Sequence, residues 1–207
     1  MSDYPVTFDV AKPERFDRSQ VFLRLVILVV VSILGAFAWL IALTYIVIPV
    51  LSAAFISRDG SDKFVSKTAV RYKRYLHWIA SADAYFALLT DKIPLDGPEV
   101  ASTMEVKIGG RPTTGSALLR LLTSIPSGFV LALFGVVATI TGIIAGIFIL
   151  VREDYPETLY GLHTGVVRWG ARLLAYHASL TDEYPPFSLD TRHRDEPRAM
   201  PQPGQST

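Results

Sequence analysis

From Leu25 to Ile56, and again from Leu121 to Val151, the chain contains no Asp, Glu, Lys, Arg or His. An apolar run of about 20 residues is already long enough to cross a hydrocarbon core roughly 30 Å thick. A buried helix of a water-soluble protein rarely lacks a polar face over such a length. The two runs therefore predict a mainly α-helical integral membrane protein. The polar, mixed-charge N-terminal residues and the length of the first run do not fit a cleaved signal peptide, and no clear small-residue cleavage site follows. A net charge of +1 gives no reason to expect a nucleic-acid partner. The absence of cysteine excludes disulfides and thiolate metal sites.

A second feature sets the organisation. "AYFALLTDKIP" and "AYHASLTDEYP" recur at a shift of 91 residues. Trp78 falls on Trp169, Ala80 on Ala171, Ala84 on Ala175, Tyr85 on Tyr176 and Ala87 on Ala178. Leu89, Thr90, Asp91 and Pro94 fall on Leu180, Thr181, Asp182 and Pro185. Upstream, "VFLRLV" (Val21 to Val26) corresponds to "ALLRLL" (Ala117 to Leu122), each leading into an apolar run. Before those, "VTFDV" and "MEVKI" alternate apolar and polar residues as half-exposed strands do. The pattern predicts two tandem repeats, a plan known among membrane proteins. Each holds a short β-strand, a transmembrane segment and a long amphipathic interfacial helix. Residues 1–97 form the first repeat (membrane segment about 21–56, amphipathic helix about 62–91) and 98–190 the second (about 121–151 and about 157–182). A polar, proline-rich tail, 191–207, cannot bury enough surface to order by itself.

In the second long helix Leu159, Leu162, Val166, Trp169, Leu173, Tyr176 and Leu180 share one stripe, with Arg168 and Arg172 beside it. The corresponding stripe of the first runs from Thr68 through Arg71, Tyr75, Trp78, Ala82 and Tyr85 to Leu89, flanked by Lys67, Lys73 and Arg74. Aromatic rings with basic neighbours suit a membrane–water interface, and the same stripes also suit packing on the membrane segments. Trp78, Tyr85, Trp169, Tyr176, Arg168 and Arg172 are thus the candidate interface or lipid-contact residues. Gly142 and Gly146, which form a Gly-x-x-x-Gly, are candidates for close helix packing. Proline ends each long helix. Asp91 and Asp182 are expected to accept hydrogen bonds from the turn that follows. Thr90, Asp91, Pro94, Thr181, Asp182 and Pro185 are the repeat-motif residues.

The second repeat resembles a bacterial membrane family catalogued as a domain of unknown function, DUF4389. The resemblance rests on its Arg-Leu-Leu and Ile-Pro entry, Tyr155-Pro156, Gly165-x-x-Arg168-Trp169, Ala175-Tyr176 and the stretch Leu180 to Phe187. The opening "YPVTFDVAKPERFDR" looks like the start of the same family. Arg152-Glu153-Asp154 stands where the family usually has a small-residue turn, and in the first repeat Tyr-Pro has become Phe64-Val65. The resemblance implies a bacterial inner-membrane location and no known activity.

No pattern carries catalysis. The four histidines offer no ligand spacing for a metal, and nucleophile, phosphate-loop and dinucleotide motifs are all missing from the sequence. Neither run holds an ionisable residue to mark a transport path. No catalytic, cofactor, metal or small-molecule site is expected. The expected role is a non-catalytic accessory or scaffold subunit of a membrane protein complex, with membrane lipids and other integral membrane subunits as partners. The alternative is a lipid-binding or membrane-remodelling protein acting through its amphipathic helices. If each run crosses once, ten Lys/Arg lie on either side, so the positive-inside rule gives a tie. The runs read either as single long tilted helices or as re-entrant hairpins near Gly35 and near Gly135 or Gly142. In the second case every polar segment would share one side.

Overall fold

Val6–Asp9 forms strand β1 and Thr103–Val106 forms strand β2 in a computed structural model that describes residues 4–33 and 43–189. The strands pair antiparallel, with Val6 opposite Val106, Thr7 opposite Glu105 and Phe8 opposite Met104. Val6, Phe8, Met104 and Val106 are buried and Glu105 is exposed, as a period of two requires. In the sequence alignment Val6 matches Met104 and Phe8 matches Val106. The pairing is therefore symmetric about Thr7 and Glu105.

The longer helices are α1 (Arg18–Ile33), α2 (Ile48–Asp59), α3 (Ala69–Phe86), α4 (Thr114–Thr123), α5 (Ile125–Arg152) and α6 (Glu157–His177). Their starts follow from local chemistry. Before α1, the Asp17 carboxylate accepts the Ser19 N–H at 2.8 Å. Before α4, Thr113 and Ser116 each accept the other's backbone N–H in a capping box. Pro126 sits in the first turn of α5, where its missing N–H costs nothing. At the far end of α5, Glu153 adopts a left-handed φ of 57° and its carboxylate meets Arg15 and Arg18. This residue stands where the resembled family has a small-residue turn, and a left-handed position is what small residues fit. Phe16 closes the corner, its N–H donating to the Glu153 carbonyl at 3.0 Å.

Helices α3 and α6 lie side by side. The repeated alanines Ala80, Ala84, Ala171, Ala175 and Ala178 are all buried in one core with Leu76, Leu89, Leu174 and Leu180. Alanine at these positions leaves room for two helix backbones to come close. Helix α6 also runs back along α5, and β1 rests on it. Further contacts cross between halves, with α1 packed on α5 and α2 packed on α4.

The apolar runs divide differently from the expected segments. The second begins at Ile125 instead of Leu121, because α4 ends at Thr123 and a new helix starts at the proline. Helix α5 then continues through Gly135 and Gly142, so the structure overturns a re-entrant hairpin at either glycine. Gly35 lies outside the described residues, as does the tail 191–207. Among the described residues one helix, α5, is long and apolar enough to cross a membrane, and only 17% of its most apolar stretch is buried.

Candidate functional site

Two arginines that sequence reasoning passed over organise the repeated motif. In the first half Arg24 of α1 is buried, and its Nη2 donates to the Thr90 carbonyl at 2.5 Å and to Asp91 Oδ1 at 3.0 Å. Its guanidinium lies 4.2 Å from the Tyr85 ring centroid. In the second half Arg120 of α4 donates through Nη1 to the Tyr176 and Thr181 carbonyls, each at 2.6 Å, and through Nη2 to Asp182 Oδ1 at 2.5 Å. Its guanidinium lies 4.7 Å from the Tyr176 ring. The planar donor fork and the flat cationic face explain why arginine serves here. The signal was present in the sequence: aligning "VFLRLV" with "ALLRLL" puts Arg24 on Arg120.

The rest of the motif now has a physical reason. Leu88 and Ser179 turn the chain out of α3 and α6 with φ of 64° and 59°. The Leu89 and Leu180 N–H groups then reach back to the Ala84 and Ala175 carbonyls at 3.0 Å, the closure that ends many helices. Thr90 and Thr181 hydroxyls accept the N–H two residues on. Each aspartate's second oxygen takes a distant N–H, of Asp17 at 2.8 Å in one half and of Arg111 at 3.1 Å in the other. The expected bond from Asp91 and Asp182 to the turn just after them is made by the threonines instead. Pro94 offers its carbonyl to the Trp78 indole N–H at 3.0 Å, and Pro185 is buried.

Helix α6 is more deeply placed than an interfacial helix. Trp169 and Tyr176 are buried, and so are Arg168 and Arg172, which the sequence placed beside the stripe. Arg168 Nε donates to the Phe8 carbonyl of β1 at 2.8 Å and Nη2 meets Asp9 Oδ1 at 3.2 Å. Arg172 lies 5.6 Å from the Tyr4 ring. A Cβ at Gly142 would stand 3.7 Å from His163, and one at Gly146 would stand 3.7 Å from Leu88, so both glycines face inward. His163 Nε2 bonds Thr141 Oγ1 at 2.8 Å and its Nδ1 meets the Tyr155 hydroxyl. His177 Nδ1 bonds Ser124 Oγ at 2.9 Å. Burial, and then the nearby Arg120 charge, push the His177 pKa down to about 4, so the ring is neutral at pH 7. His77 is pushed down by burial in the same sense.

The two tryptophans differ. Trp169 is 2% exposed, enclosed by Phe134 and Phe187 at centroid distances of 6.0 and 5.8 Å. Trp78 is 42% exposed, and the position matching Phe187 is Asp96. A cleft of about 420 Å³ remains open there, lined by Arg71, Arg74, Tyr75, Trp78 and the Pro94–Pro98 loop. Among the described residues neither Arg71 nor Arg74 forms an ion pair. Tyr85 is buried, its hydroxyl donating to Gln20 at 2.9 Å.

Residues 115–188, which comprise most of α4, all of α5 and α6 and the proline-rich ending, match a family described as a domain of unknown function (DUF4389). The match covers the second half and stops short of β2. No curated protein and no solved structure matches the chain.

Proposed function

We propose that the chain is a tandem duplication seated in the bacterial inner membrane, where it acts as a non-catalytic accessory or scaffold subunit of a larger membrane complex. The observation that carries this reading is where the polar groups go. Arg24, Arg120 and Arg168 are bound to carbonyls and carboxylates of the chain itself. Along α1, α4 and α5 the surface carries large exposed apolar side chains. Contiguous exposed apolar surface on this scale marks contact with lipid or protein. The duplication is supported by the matched Arg24 and Arg120 contacts, the matched helix endings and the symmetric strand register. Purification of the full chain from native membranes in mild detergent tests the role: a stoichiometric integral membrane partner is expected, and recovery of the chain alone across several mild detergents contradicts it.

The open cleft beside Trp78 favours a second reading, a lipid-binding or membrane-remodelling protein. Two unpaired arginines next to half-exposed aromatic rings suit an anionic headgroup. Deformation of anionic liposomes by the purified protein, abolished in Arg71→Ala/Arg74→Ala, would favour this reading over the first.

A further inference from the structure

We propose that the protein docks into a single leaflet of a phospholipid bilayer, with α5 lying in the membrane plane and the described polar segments before, between and after the apolar runs on the same side. The segments before, between and after the two apolar runs are hydrogen-bonded to one another. Strand β1 precedes the first run, β2 lies between the runs, and the two pair directly, with the Lys107 N–H donating to the Pro5 carbonyl at 2.8 Å. Asp91, beyond the first run, accepts the N–H of Asp17, which precedes it. The Gly109 N–H donates to the Leu180 carbonyl across the second run, and the Tyr4 hydroxyl donates to the Glu183 carbonyl across both. Contacts of about 3 Å cannot bridge a hydrocarbon core roughly 30 Å thick. The segments that flank the two runs therefore meet on one side.

Helix α5 could still cross if α6 crossed back beside it, since the two run antiparallel in contact. Ser124 meets His177 near the start of α5, Phe134 meets Trp169, and Thr141 meets His163. The middle of α6 excludes that arrangement, because Arg168 is bonded to Phe8 and Asp9 of β1. A crossing pair would carry the strand ribbon into the hydrocarbon. There the outer edges of a two-stranded sheet would leave backbone groups unpaired, with no water to satisfy them. The ribbon belongs in water, so α6 and the neighbouring α5 lie beneath it. Helix α5 turns Phe129, Val136, Ile140 and Ile147 outward along its length, and α1 adds Phe22 and Leu25. At 28 residues α5 is about 42 Å long, so a helix laid flat offers lipid a long apolar surface.

The chain has no cysteine, so single thiols can be introduced without a background. Glu14, Glu99 and Ser188 are exposed and lie before, between and after the runs. Each is changed to cysteine in the full chain and treated with a membrane-impermeant maleimide in right-side-out and inverted vesicles. All three should label from the same face. Ile140→Cys should resist the impermeant reagent from both faces and react with a lipid-soluble maleimide. Retention after carbonate washing verifies that each variant is seated. Labelling of Glu99→Cys from the face opposite Glu14→Cys would mean that the runs cross, and the proposal would fall. Release by carbonate as a soluble dimer with Ile140→Cys protected would mean that a second copy covers the apolar face, and would equally overturn it. Neither outcome depends on whether a partner subunit co-purifies.

Discussion

Replacing Arg120 by alanine removes a donor from the Tyr176 and Thr181 carbonyls and from Asp182 at once. Leaving buried acceptors without a donor is costly, and we expect Arg120→Ala to destabilise the protein by about 3 kcal/mol. Asp182→Asn should cost about 1 kcal/mol or less, because that carboxylate is half exposed and the amide oxygen still accepts one of its two hydrogen bonds, the other donor turning to water. Thermal unfolding in detergent orders the two. Equal effects would mean that the ion pair outweighs the carbonyl contacts. His177 makes a pH prediction. The unfolded chain takes up its proton near pH 6.5 and the folded protein only near pH 4. Its contribution is fully present above about pH 6.5 and falls away as pH drops toward 4, at up to ~1.4 kcal/mol per pH unit for one group. His177→Gln should flatten that part of the stability–pH curve, and an unchanged slope would show that the ring titrates normally.

At the scale of the element, two glycine substitutions should separate. Gly142→Ala adds a methyl group in ordinary contact with His163 in a helix interior, and should be neutral or mildly stabilising. Gly110 has φ of 92°, and a Cβ there would land 1.9 Å from Asp182 Oδ2, so Gly110→Ala disturbs the carboxylate that holds Arg120. A loss of about 2 kcal/mol or more is expected from the strained backbone and the displaced carboxylate. On α6, Trp169→Ala empties a buried site and should cost about 3 kcal/mol or more, whereas Trp78→Ala at its half-exposed counterpart should cost clearly less. The two long helices α3 and α6, the two strands and the ends of α3 and α6 were legible in the sequence, because period and proline are local signals; the pairing of the strands was not. The depth of α6 was not. Arg168 and Arg172 sit off an apolar stripe, which ordinarily means solvent, and only the arrival of β1 and Tyr4 from more than 150 residues away buries them. The cleft at Trp78 was hidden for a similar reason. It depends on the residue matching Phe187 being Asp96, a difference that matters only once the loop folds over the helix.

For the molecule as a whole, the proposed duplication has an energetic logic. The two halves exchange partners, α1 on α5 and α2 on α4, while β1 and β2 complete one ribbon. Each half satisfies its own buried arginine, while its helices and strand are covered by the other half. Hydropathy marked both apolar runs, and among the described residues one of them, α5, is long and apolar enough to cross a membrane, but length alone does not distinguish a helix that crosses a bilayer from one that lies in it. The proposed in-plane placement rests on the strand pairing. Val6 and Val106 face each other as a closely spaced pair in which neither bonds the other's backbone, the geometry best suited to an engineered disulfide. The Val6→Cys/Val106→Cys variant of this otherwise cysteine-free chain, oxidised in intact native membranes and then cut between the strands by protease, is the most direct measurement. The account predicts two fragments that stay joined until a reductant is added. Fragments that separate without reductant, with both thiols free, would contradict it.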